Sequence, residues 1–126
     1  DTALSDAKWL KVEDIIAHAA TLRTFMLNGV EVSLEQGYRN ALDYTARCWQ
    51  AKRGTSPITI EVAGQGLTLA PTQLTSMLAM VECYTVEVAN QAEAHKAALN
   101  AMTSLEAVTS YDHTAGYPTM LTFEFE

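Results

Sequence analysis

Five side chains in this sequence are of the types that ligate metals or act as nucleophiles in small domains: His18, His95, His113, Cys48 and Cys83. A structural zinc site needs four nitrogen or sulfur ligands, which usually arrive in pairs a few residues apart. None of these five has a second ligand at such a spacing. Asp112 and His113 are adjacent, so their side chains diverge in an extended chain. His95 falls in a long helical stretch, where it is expected to face a partner or solvent. A nucleophile fares no better, because no Gly-x-Ser-x-Gly occurs and neither cysteine has a histidine near it in sequence. Gly64-Gln65-Gly66 lacks the third glycine and the Lys-Ser/Thr ending of a phosphate loop, and reads as a hairpin turn. Glu13-Asp14, Glu82, Glu87 and Glu93 have the spacing of solvated helix faces rather than of an acid–base pair. The expectation is therefore no enzyme: no catalytic, cofactor-binding or metal-ligating residue, and no cofactor.

The remaining candidates are packing residues. Cys48 and Cys83 both sit at positions that read as helical and apolar, so two buried free thiols are expected. A disulfide joining their helices stays open, because sequence does not give the separation. Met77, Met80 and Met102, with Trp9, Trp49, Tyr38 and Tyr84, lie on apolar stripes and read as core or interface before they read as a ligand box.

The element that organises these residues runs from Pro71 to Met102. Leu74, Met77 or Leu78, Val81, Tyr84, Val88, Gln91 or Ala92, His95, Ala98 or Leu99 and Met102 recur at three- and four-residue steps, which lays one stripe along a helix. Pro71 suits the first turn, where its missing N–H costs nothing. After Val88 the stripe turns small and polar. Such a helix either protrudes to meet another chain or is covered by the first helix through close Ala contacts, and the second reading is favoured slightly.

That first helix is expected from Ser5 or Asp6, with Trp9, Val12, Ile16, Ala19, Leu22 and Met26 inward and Asn28-Gly29 ending it. Val30-Glu31-Val32 reads as a short strand. Ser33-Leu34-Glu35-Gln36 matches a capping box and opens a helix that carries Leu34, Tyr38, Ala41, Leu42, Thr45, Cys48 and Trp49 inward and ends at Lys52-Arg53-Gly54. Ile58-Thr59-Ile60-Glu61-Val62 and Gly66-Leu67-Thr68-Leu69 alternate around a turn as a β-hairpin over about 58–69. Thr103-Ser104-Leu105-Glu106 is a second capping box and predicts a short helix to about Ser110. The stretch 120–126 alternates Phe123 and Phe125 with polar residues and reads as a terminal strand, pairing with the hairpin or with another chain by strand addition.

At 126 residues, with 48% hydrophobic and 18% charged side chains, the chain reads as a single globular domain over 1–126. Beginning at Asp1 without an initiator Met, it reads as cut from a longer polypeptide or numbered from the first ordered residue. Fifteen acids against eight bases give a net charge of -7. Sparse, scattered Lys and Arg on an acidic chain argue against nucleic acid and against membrane surfaces as partners. No apolar run has the length of a membrane span.

The order of pieces resembles a domain family of tailed-bacteriophage tail, tail-fibre and baseplate-associated proteins. The segments that carry the likeness are RNALDYTARCWQAKRG, the hairpin ITIEVAGQGLTLAPTQL, the long helix and HKAALNAMTSLEAVTSYD. Matching positions are Leu69, Leu74, Lys96, Leu99, Ala101, Thr103, Leu105, Tyr111 and Asp112, and the likeness covers about Arg23 to Pro118. It implies a virion structural module without catalytic residues, assembled in the host cytoplasm, whose partners are other virion proteins and further copies of itself.

Together these readings predict a mostly helical α+β domain of three or four helices, including the long helix at about 71–102, with a β-hairpin at about 58–69 and a C-terminal strand. The function expected is docking or oligomerisation within a phage particle. The alternatives are an assembly chaperone or adaptor absent from the mature particle, and a small-ligand or enzyme domain built from dispersed residues such as His95, Tyr84 and Glu87.

Overall fold

The structure, a computed structural model, describes residues 2–125; Glu126 at the end of the expected terminal strand, and Asp1, lie outside the described residues. The fold is α+β. In chain order it comprises α1 (Thr2–Thr21), β1 (Phe25–Leu27), β2 (Val30–Val32), α2 (Gln36–Arg53), β3 (Ile58–Val62), β4 (Gln65–Leu69), α3 (Pro71–Asn100), α4 (Leu105–Thr109) and β5 (Thr122–Phe123). Backbone contacts divide the chain into two compact units, one formed by the residues up to Arg23 with Thr85–Thr119, the other by Thr24–Tyr84 with the residues from Met120 on. Helix α3 contributes to both.

The unit holding the hairpins is built on two short sheets, ordered β2-β1-β5 and β3-β4. Each antiparallel pair closes through a two-residue turn with both residues left-handed: Asn28 (φ 51°) and Gly29 (φ 80°) join β1 to β2, and Ala63 (φ 52°) and Gly64 (φ 80°) join β3 to β4. Such turns match the right-handed twist of the strands they connect. Asn and Gly tolerate that backbone, whereas Ala at φ 52° is strained. Strand β5 pairs with β1 in parallel, Met26 opposite Thr122 and Leu27 opposite Phe123. Its partner within the chain is thus β1 rather than the β3–β4 hairpin expected for the terminal strand. The Leu121 and Phe123 carbonyls accept from the Met26 and Asn28 amides, and the Phe125 amide donates to Asn28 Oδ1 at 2.7 Å.

These pieces share one core. Phe25, Leu27, Leu42, Val62, Leu67, Leu74, Met77, Val81 and Phe123 are all buried in it, with Phe123 edge-on to Phe25 at 5.6 Å between ring centres. Helix α2 starts later than expected: Glu35 occupies the N-cap position with no side-chain cap bond, so the Ser33–Gln36 box is not formed. Its buried residues are Leu42 and Ala46, while Tyr38, Thr45 and Cys48, expected inward, are exposed. Arg39 fastens the helix instead, its guanidinium donating to the Leu34 carbonyl and to Glu82.

In the other unit, α3 faces α1 with the small stretch of its stripe. Ile15, Ala92, Leu99 and Val108 form the core, flanked by Leu4, Ala7, Val12 and Ala19 of α1. Helix α1 shares this core but packs most closely on α4, and an open cleft lined by Lys8, Val12, Lys96 and Leu99 lies between it and α3, so the close Ala cover favoured for the stripe is met only in part. Its phase also differs from the one expected: Ile15 is fully buried, while Trp9 and Ile16 are 64% and 47% exposed. It begins before Ser5 and ends at Thr21, because Phe25–Leu27, expected as its last turn, is strand β1. Two lysines explain the phase. Lys8 Nζ donates to the Asn100 carbonyl and Lys11 Nζ to those of Thr109 and Tyr111, so both turn toward the carbonyl-rich ends of α3 and α4. Helix α4 forms where expected but opens one residue later than the Thr103–Glu106 box predicts: Ser104, not Thr103, is the N-cap, its Oγ accepting from the Ala107 amide at 3.1 Å.

Candidate functional site

Among the described residues one polar side chain is buried with the core, His95 at 4% exposure. A buried imidazole requires a partner for each ring nitrogen. Nε2 lies 2.8 Å from the Ala115 carbonyl and Nδ1 lies 2.5 Å from the Tyr111 hydroxyl. The carbonyl can only accept, so Nε2 carries a proton. In the neutral ring Nδ1 then accepts from the Tyr111 O–H. Gln91 Nε2 donates to the same Ala115 carbonyl at 3.0 Å. Its approach to His95 Nε2 at 3.2 Å is two donors converging on one acceptor.

This arrangement pins the chain after α4 onto α3. The loop is shaped for it: Gly116 has φ +81°, and a Cβ there would collide with the Gln91 side-chain amide. Asp112 holds the preceding turn, its carboxylate accepting from the Thr114 hydroxyl and from the Thr114 amide. Those two bonds hold the Asp112 carboxyl below its ordinary range, the hydroxyl contributing most. His95, expected to face a partner or solvent, is instead buried and bonded within its own chain.

Aromatic rings fill the space around this histidine. Tyr117 lies 5.5 Å from His95 and 5.0 Å from His18, and His18 lies 5.9 Å from His113, all between ring centres. The three histidines that sequence leaves far apart therefore gather at one end of the α1–α3 pair. Tyr117 Oη is buried with no hydrogen-bond partner. Burial pushes its phenol up, with Tyr111 adding to the effect. Proton transfer to a bound substrate would need an open ring nitrogen, and both nitrogens of His95 are occupied within the fold. The hydrogen bonds of His95 fasten the loop 111–115 to α3.

Of the dispersed residues, Tyr84 is buried and Glu87, one turn on along α3, is exposed, while His95 lies two turns farther and is closed by its own loop. Cys48 and Cys83 are free and exposed rather than buried. Cys48 stands one turn after Tyr44, whose phenol is pushed up by the hydrogen bond with that thiol. Among the described residues, no group of three or more His, Cys, Asp or Glu is placed to hold a metal ion. An open cleft of about 400 Å³ is lined by Lys8, Val12, Glu93, Lys96, Leu99 and Asn100. Its two cations are committed, Lys8 to the Asn100 carbonyl and Lys96 to Glu93 at 3.0 Å. No helix among the described residues is long and apolar enough to cross a membrane.

The feature that sequence reasoning misplaced lies on the outside of α1. Trp9, Leu10 and Ile16 are 64%, 58% and 47% exposed, and Ala17 and Ala20 are exposed on the same side. A helix that turns a tryptophan and two aliphatic residues to solvent while burying Ile15 and half-burying Val12 behind them is apolar on two faces. Its sequence signal was an apolar residue at both phases of the helical period. No protein-family model, curated protein or solved structure matches the chain.

Proposed function

We propose that this chain is a structural interaction module of a tailed-phage particle, in a tail, tail fibre or baseplate, where it docks against other virion subunits. The observation that carries the docking is the exposed apolar face of α1, with Trp9, Leu10 and Ile16 turned away from the core. Exposed aromatic and aliphatic residues grouped on one helix face, rather than scattered, are the usual mark of a protein contact. The particle assignment rests on the sequence resemblance. The run of helix, hairpin, long helix and short helix that carries it is present in this order. The commitment of His95 to the fold also favours a module that holds neighbours in register over one that turns over a substrate.

In this proposal the docking element is α1 rather than the terminal strand, whose Phe123 is committed to the chain's own core. The test is quantitative mass spectrometry of purified, intact particles from infected cells that make this chain. A fixed copy number in register with the particle's symmetry supports the reading. Absence from the particle, with the chain abundant in the cell, replaces it with an assembly chaperone or adaptor.

A further inference from the structure

We infer that the outer face of α1 receives a basic amphipathic helix, an apolar stripe flanked by Lys or Arg, rather than a second copy of this chain. The inference rests on the docking reading above and adds the partner's chemistry. Along α1, Trp9, Ile16 and Ala20 follow one another at seven- and four-residue steps, and Leu10 and Ala17 form a parallel row one position on. Asp6 and Glu13 stand between the two rows and Asp14 borders the second, all three exposed. The bases of α1 are not on this side: Lys8 and Lys11 turn toward the carbonyls of Asn100, Thr109 and Tyr111. The face is therefore apolar and acidic with no cation of its own.

That charge pattern selects the occupant. Two copies joined through this face would bring Asp6 and Glu13 of one against the acids of the other, and like charges at a contact cost affinity. The chain as a whole, at -7, offers little positive surface elsewhere. A helix whose apolar stripe covers Trp9 and Ile16, and whose Lys or Arg reach Asp6, Glu13 and Asp14, satisfies both components at once. It would associate faster at low salt than at high salt.

The test uses the full chain and two synthetic helical peptides with the same leucine stripe, one flanked by lysines and one by glutamates, followed by fluorescence anisotropy of a dye on the peptide. The inference predicts that the lysine peptide binds at least about tenfold tighter than the glutamate peptide. Glu13→Lys should weaken that binding by about tenfold, while Glu61→Lys, the same charge change on the exposed side of β3, changes it less than about twofold. Trp9→Ala should weaken binding of both peptides. Equal weakening by Glu13→Lys and Glu61→Lys would mean attraction to net charge alone and overturns the inference. Equal binding of both peptides, lost on Trp9→Ala, overturns the charge selection and leaves the docking face standing. Concentration-dependent self-association abolished by Trp9→Ala would make the occupant a second copy and overturns it too. Binding of neither peptide, without self-association, removes the docking reading with it.

Discussion

The hydroxyl of Tyr111 meets Nδ1 of His95 at 2.5 Å, which ties the chain after α4 to the buried side of α3. Because the other ring nitrogen is bound to the Ala115 carbonyl, the imidazole is closed at both ends by residues of a single loop. Truncating His95 leaves the Tyr111 hydroxyl without its acceptor and opens space under the loop. His95→Ala is expected to cost about 3 kcal/mol in urea unfolding, and Tyr111→Phe about 1 kcal/mol. The double variant should cost clearly less than the sum, because the two side chains share one bond. Strict additivity would show that they do not act as a pair.

Gly116 tests the same fastening from the backbone side. Its φ of +81° and the nearness of the Gln91 amide leave no room for a methyl group. Gly116→Ala is expected to lose about 2 kcal/mol, more than Gly64→Ala, whose φ is +80° but whose added Cβ would meet nothing. Shortening the neighbour with Gln91→Ala should recover part of the Gly116→Ala loss. No recovery would place the whole effect in backbone strain.

Ala63 offers a change in the opposite direction. It holds φ 52° at the first position of the β3–β4 turn, where Asn28 holds φ 51° in the β1–β2 turn. Ala63→Asn is therefore expected to stabilise the protein by about 0.5–1 kcal/mol, read as a higher denaturant midpoint with an unchanged slope. A lower midpoint would show that the turn does not carry the strain assigned to it.

Phe123 anchors the chain's last strand. It packs edge-on against Phe25, and β5 lies hydrogen-bonded along β1. Phe123→Ala should cost about 3 kcal/mol. Removing residues 120–126 should destabilise the hairpin-containing unit rather than spare it, visible as loss of near-ultraviolet dichroism from that core. A truncated chain as stable as the intact one would contradict this role of β5.

The titrating groups set limits at both ends of the pH scale. Burial raises the phenols of Tyr84 and Tyr117, so the folded state holds their protons more tightly than the unfolded state. Their contribution is complete below the ordinary phenol value, about 10, and is lost as pH climbs through the raised values. Asp112 runs the other way. Its carboxyl is lowered by Thr114, so its contribution is present above the ordinary carboxylate value and fades as pH drops below about 4. Unfolding midpoints across pH should show both declines, and Tyr117→Phe should shrink the alkaline one. An alkaline decline unchanged in the absence of Tyr84 and Tyr117 would assign it to other groups.

Parts of this molecule were legible in its sequence for definite reasons. The α3 stripe from Leu74 to Leu99 could be followed because a long regular period leaves one choice of face, and Leu74, Val81, Val88, Ala92 and Leu99 are buried along it. The β3–β4 hairpin was local in the same way, and so was the existence of α4, though its cap moved from Thr103 to Ser104. Strand β1 was not, because Phe25-Met26-Leu27 is a continuous apolar run whose extended form is fixed by pairing with Thr122 and Phe123 far along the chain. The phase of α1 was ambiguous because apolar residues occupy both sides, and Lys8 and Lys11 decide between them through carbonyls at distant helix ends. For His95 the stripe placed the side chain inward while its polarity argued for a partner or solvent. Tyr111 and Ala115, which resolve the conflict, lie on a loop whose path no local pattern announces.

The docking proposal is tested most directly by building particles with chains that carry Trp9→Ser and Ile16→Ser together and counting copies of the chain in the purified particles. Both side chains are exposed, so circular dichroism and thermal stability should match those of the unaltered chain. The proposal predicts about tenfold fewer copies per particle. An unchanged copy number with both serines in place would contradict it.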